Sequence, residues 1–223
     1  MAPVSSLDRA ANAPAVMDLL REATWPQHQH AEGRELERDL ARGALPRETF
    51  VAWLGQRFLM HQALEAGARR LRERDSRVAA IALDELWQVE NLRRDLSSLG
   101  VAADQIPSAI ATARFVADVQ ATEADAPLGL LGHNYVFEGS KNGARMLARA
   151  VAQAYRLEPG PGLLYLDPHG ARQRPLWMEY KAAMNAAGFR PDEQAAIVQA
   201  ARRTFDFVSA VDDELYSSEA ASS

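Results

Sequence analysis

Residues 127–151, PLGLLGHNYVFEGSKNGARMLARAV, read as one long helix that carries glycines at 129, 132, 139 and 143. Leucine, alanine, arginine and methionine are good helix formers, and the apolar positions recur at helical spacing. A glycine inside a helix costs about 1 kcal/mol relative to alanine, so four of them in an otherwise helical segment need a cause. Either a neighbouring helix packs too closely for side chains, or the backbone lies against something flat. Spacing alone leaves both open.

The flanking sequence has the same character. β-Branched alternation is nearly absent, and Ala, Leu, Arg and Glu recur at helical intervals. A first helical region is predicted over about 15–41, interrupted at Pro26, whose ring clashes with the carbonyl four residues back. Thr24 and Gln27 have the spacing of a capping box, so a fresh helix is expected there. Further helices are predicted over about 46–72, 76–99 (stopped by Gly100), 107–121, 127–157, 176–187 (ended by Gly188) and 192–216. A Pro- and Gly-rich loop, EPGPGLLYLDPHGARQRP, fills 158–175. Connections are short, with no linker and no internal repeat. The fold class is therefore all-α, a single bundle of about seven helices over 15–216, with 1–14 a disordered lead and 217–223 a disordered tail.

Composition narrows the function. The chain has 223 residues, 48% of them hydrophobic, which is enough for a sizeable core. A net charge of −5 and a pI near 5.6 argue against a nucleic-acid partner. The absence of cysteine removes disulfides, zinc–thiolate sites, thiolate ligation and cysteine nucleophiles, and fits a cytoplasmic location. No apolar run reaches the roughly eighteen residues of a membrane span. MAPVSSLDRAANAP lacks the basic and apolar regions of a signal peptide.

Five histidines are candidates. His61 and Glu65, four apart, read as a solvated helix pair. His169 sits in a DPHG turn. His30, two residues from His28, faces another side of the helix. His133 reads as a hydrogen-bonded core residue, and His28 is not special by spacing.

Residues 20–32, LREATWPQHQHAE, resemble the proximal-histidine signature of heme oxygenases, with Thr24, then His28 four residues later, then Glu32 four after that. Residues 40–65, ending in Leu64–Glu65, resemble that family's second helix. NLRRDLSSLGV at 91–101 resembles its Asp-Leu-x-x-Leu-Gly. YVFEGSKNGARMLAR at 135–149 resembles the bacterial distal-helix pattern, and WMEYKAAMNAAG at 177–188 resembles the helix after the loop. The ordered match runs from about 19 to 216, and it points to a heme-oxygenase-like bundle.

The resemblance implies a set of roles. His28 would ligate the iron of heme b as a neutral imidazole, with Glu32 as acceptor for its other ring N–H. Gly139 and Gly143 would let the distal helix backbone lie against the porphyrin, with Ser140 in the distal turn, so that these three stand in the catalytic part of the pocket. Arg21 and Lys181 would meet the propionates, and Phe137 and Phe207 would form apolar walls. The implied reaction cleaves heme, cofactor and substrate at once, to biliverdin, carbon monoxide and ferrous iron. Electrons would come from an external reductase, a ferredoxin or flavoprotein, since nothing in the sequence binds flavin or nicotinamide. A bilin-binding photoreceptor is one implied partner.

The chain departs from the family pattern at several positions. Pro26 precedes His28 by two, and Trp25 stands where a basic residue is often found. Lys141 and Asn142 replace small or apolar residues, Ala144 replaces the second glycine, and the distal aspartate has no counterpart other than nearby Glu138. Two other readings follow: a heme-binding protein without turnover, or a di-iron oxidase built from Glu65, Glu90, His133 and Asp206. A thiaminase-like hydrolase would need a cysteine.

Overall fold

The computed structural model describes residues 15–220; the expected lead 1–14 lies outside them, and of the expected tail 217–223 residues 217–220 continue the last helix while 221–223 lie outside. Nine α-helices are present among the described residues: α1 Val16–Glu32, α2 Glu35–Arg42, α3 Arg47–Arg72, α4 Ser76–Ile81, α5 Val89–Ser98, α6 Ile110–Asp125, α7 Leu130–Tyr155, α8 Gln173–Ala186 and α9 Pro191–Ala220. No strand occurs among them. The bundle has two more helices than the sequence predicts, because two expected helices are each divided.

The first division falls at Gly33, not at Pro26. α1 runs through the proline because Glu22 and Pro26 both face solvent, so the carbonyl that loses its partner is hydrated. Thr24 does not cap a new helix. Its hydroxyl donates back to the Leu20 carbonyl at 2.7 Å. The second division falls between α4 and α5. The carboxylate of Glu65 on α3 accepts from the amides of Gln88 at 2.5 Å and Val89 at 3.0 Å, and so starts α5 afresh. α5 stops as expected: Gly100 takes φ +86°, and the Val101 amide reaches back to the Leu96 carbonyl at 2.9 Å.

Two apolar cores lie end to end. One gathers Leu20, Met60, Leu64, Phe115, Leu131, Phe137, Met184 and Ile197. The other gathers Leu36, Leu40, Phe50, Leu54, Leu92, Leu96, Val151 and Leu166. The long helices α3 and α7 pass through both. Asp95, in the Asp-Leu-x-x-Leu-Gly segment, shapes the loop over the second core. Its carboxylate accepts from the amides of Gly162 at 2.6 Å, Leu164 at 3.0 Å and Tyr165 at 2.8 Å. α9 packs against α1, α6 and α7. Gly132 sets its distance from α7, since a Cβ there would lie 1.9 Å from the Ile197 carbonyl oxygen. No described helix is long and apolar enough to cross a membrane.

Candidate active site

α1 approaches α7 where the Thr24 hydroxyl lies beside the Tyr135 phenol. Burial pushes that phenol above its ordinary range, while the Thr24 hydroxyl and the charge of Arg21 pull the other way. One helical turn past this contact on α1 is His28, and one turn past it on α7 is Gly139. From α8 the Trp177 ring approaches, 6.0 Å from the ring of Tyr135 and 3.7 Å from where a Cβ on Gly139 would sit.

The His28 imidazole is 42% exposed. Trp25 stacks on it at 5.7 Å, 11° from parallel, and Phe205 of α9 meets it edge-on at 5.6 Å. Its Nδ1 is buried without a hydrogen-bond partner, and Glu32 Oε2 stands 3.5 Å away, beyond a good bond. The ring is therefore held in plane by aromatic contacts while one nitrogen stays unclaimed.

The four glycines of 127–151, Gly129 in the 3-10 turn just before α7 and three within the helix, fall into two pairs. Cβ atoms at Gly129 and Gly132 would strike Thr122 at 2.7 Å and Ile197 at 1.9 Å, so helix packing requires these two. At Gly143 a Cβ would meet nothing within 4 Å, and at Gly139 only the Trp177 ring edge at 3.7 Å. Packing does not require the second pair. Tyr135, Gly139 and Gly143 follow one another at four-residue spacing on one face of α7.

The two expected cations border this face. Arg21 acts on Tyr135, and the Lys181 ammonium lies 5.8 Å over the Trp177 ring. The Ser140 hydroxyl donates to the Phe137 carbonyl at 2.9 Å, and the Asn142 amide to the Gly139 carbonyl at 3.0 Å. Phe137 lies on the other face of α7, 4.6 Å from His61 and 6.0 Å from Phe115. Phe207 packs on Phe115 at 5.8 Å. Neither is brought to His28.

Other expectations are corrected. His61 and Glu65 are not a solvated pair. Both are buried, and the His61 Nε2 meets the Tyr165 hydroxyl at 3.3 Å. Lys141 points into the core, 3% exposed, because it lies on the face of α7 opposite Gly139 and Gly143, and Ala144, about 100° round from Gly143, packs against the second core. The proposed di-iron set is scattered. Glu65 caps α5, Glu90 and Asp206 are exposed, and His133 is held by Thr204 at 2.7 Å and Thr122 at 3.2 Å, as a core histidine. Among the described residues no three His, Cys, Asp or Glu side chains gather to hold a metal.

The heme oxygenase family model matches residues 15–214. The chain belongs to the heme oxygenase family. It is 25% identical to heme oxygenase 1 of Bos taurus over 193 residues, 84% of this chain and 67% of that one. It thus spans about two thirds of that relative's length. Its fold superposes on heme oxygenase from Leptospira interrogans with a TM-score of 0.83 at 21% identity, covering 90% of this chain and all of that one. For heme oxygenase-2 from Synechocystis sp., in complex with heme and NO, the TM-score is 0.84 at 24% identity, covering 91% and 85%.

In this heme oxygenase family member, sequence reasoning missed Trp25 and Phe205 against His28, and Tyr135 and Trp177 beside Gly139. Tyr135 was legible as the residue one turn before Gly139. Phe205 was hidden by the choice of Phe207, which lies two residues along α9 and so on another side of it.

Proposed function

We propose that this chain binds heme b between α1 and α7 and cleaves it to biliverdin, carbon monoxide and ferrous iron. The observation that carries this reading is the bare backbone at Gly139 and Gly143. It has no packing partner to explain it, and it stands one turn past the α1–α7 contact, as does the half-exposed imidazole of His28. A planar ring system fits that arrangement.

His28 would ligate the iron through Nε2, since Nδ1 is buried and turned toward Glu32. Trp25 and Phe205 hold the imidazole plane. Arg21 and Lys181 would pair with the propionates. Bare backbone at Gly139 and Gly143 lets α7 come close to the ring. The Ser140 hydroxyl and the Asn142 amide turn back onto the Phe137 and Gly139 carbonyls. Phe137 and Phe207 support the site from behind. Bound heme supplies both the iron that takes up oxygen and the porphyrin that is cleaved. Electrons come from an external ferredoxin or flavoprotein, and a bilin-binding photoreceptor is a fitting recipient of the product.

One observation favours a second reading, binding without turnover: Glu138 and Lys141 are turned into the core. Neither offers a charged side chain to the slot. A single experiment separates the two. Purified apoprotein is titrated with hemin beside His28→Ala. A saturable one-to-one Soret band that shifts or vanishes in the variant places His28 on the iron. Adding a reductant system then yields bilin absorption if heme is cleaved, and an unchanged Soret band if it is only held. If the wild type shows no saturable band, the heme reading is wrong.

A further inference from the structure

The face of α7 opposite the glycines holds a buried ion pair. Lys141 and Glu138 are 3% and 4% exposed, and the Lys141 ammonium donates to Glu138 Oε1 at 2.6 Å and to the Leu86 carbonyl at 2.8 Å. That carbonyl is itself a fixed point. It also accepts from the Gln88 side chain at 3.0 Å, and Gln88 is fully buried with its amide on Glu65. The pair straddles Gly139. On a helix, Lys141 points about 160° away from Gly139 and Gly143, and Glu138 about 100° and 140° away from them.

Fold stability alone does not account for this pair. Two well-packed apolar side chains usually hold a core at least as well as a buried ion pair does. An apolar pair, however, leaves a glycine-bearing helix free to slide or roll, whereas an ammonium that donates to the Leu86 carbonyl ties α7 to that turn, with its charge balanced by the Glu138 carboxylate three residues back on the same helix. At Gly139 and Gly143 α7 has no side chain to pack against a neighbour. The anchor sits there.

We infer that Lys141, its charge balanced by Glu138, is a positioning residue that pins α7 to the Leu86 turn and thereby holds the Gly139–Gly143 backbone at a fixed height over the ligand. The ligand part of this inference rests on the heme reading above. The pinning does not.

Three variants test it: Lys141→Arg, Lys141→Met, and the double variant Glu138→Gln with Lys141→Met. Lys141→Met leaves a carboxylate buried without its cation and is expected to fold poorly. The double variant removes that penalty, and its thermal midpoint should lie close to that of the wild type. In the apoprotein its amides at 137–147 should exchange about tenfold faster, while those of α3 and α9 stay protected. With heme, its dissociation should be about tenfold faster and the midpoint pH of the ferric aquo-to-hydroxo transition should move, while the iron–histidine stretch stays put. Lys141→Arg should restore both. A double variant as protected as the wild type, with unchanged dissociation, would overturn the inference and leave the pair a plain core element. If the wild type binds no heme, the functional reading fails, and exchange in the apoprotein alone decides the anchor.

Discussion

Consider alanine placed at Gly132 and, separately, at Gly143. A Cβ at Gly132 would lie 1.9 Å from the Ile197 carbonyl oxygen and 2.9 Å from the Ala201 nitrogen, both backbone atoms of α9. No rotamer relieves that overlap. An ordinary contact is restored only if the helices part by more than about 1 Å, which strips contacts along their whole interface. The cost is about 3 kcal/mol, at the upper end for overpacking, which for a domain of this size lowers the thermal midpoint by about 6–12 °C. At Gly143 the same methyl meets nothing within 4 Å. There it adds helix propensity, worth about 0.5–1 kcal/mol, so the apoprotein should gain about 2 °C. The same methyl projects from the face proposed to lie on heme, so hemin affinity should fall about tenfold, or roughly 1.4 kcal/mol. Differential scanning calorimetry of the apoproteins, with Soret titration of each, reads all three quantities. The reasoning is refuted if Gly132→Ala is tolerated within about 0.5 kcal/mol, or if Gly143→Ala destabilises the apoprotein, for then the second glycine also serves packing.

Three further outcomes follow from single side chains. Burial pushes the His133 imidazole down to about 3, so the unfolded chain takes up a proton below the ordinary histidine range that the folded chain refuses. Its contribution is fully present above pH 6.5 and is lost as pH falls toward 3, by about 1.4 kcal/mol per pH unit, and His133→Gln should flatten the fall in urea midpoint across that window. Asp95→Asn keeps one acceptor for three amides and should cost about 2 kcal/mol, with faster amide exchange at 162–165 as the local sign. Phe205→Leu removes the edge contact on His28 and should broaden the iron–histidine stretch without abolishing the Soret band; an unchanged stretch would show that Trp25 alone holds the ring.

The helical class and most boundaries were legible because helix formers, prolines and glycines act locally. Gly100 ends α5 by a φ that other residues resist, and no tertiary contact is needed to foresee it. The two divided helices were not legible. Pro26 forbids a hydrogen bond, but whether that breaks a helix depends on whether Glu22 faces water, which is a property of the assembled bundle. Glu65 starts a helix from 23 residues away, and no local pattern announces it. The same limit hid the aromatic frame of His28. Trp25 was in view as a departure from the family pattern, but its stacking on His28 follows from rotamers, and Phe205 arrives from the far end of the chain.

The glycine segment gives the sharpest case. Sequence alone offered two causes for four glycines, close packing or a flat ligand, as though one had to serve for all. In the structure the causes are divided along the helix. Gly129 and Gly132, near the start of α7, are required by Thr122 and α9, and there a ligand has no room. Gly139 and Gly143, two and three turns later, are required by nothing in the protein. A helix must be held firmly at one end to present bare backbone at the other, since bare backbone contributes no side-chain contacts of its own. Gly132 supplies the hold against α9 and Lys141 the hold against the Leu86 turn, from opposite sides. The residues that least resemble the family pattern, Lys141 and Asn142, therefore leave the open face bare. One points into the core, and the other reaches back to the Gly139 carbonyl.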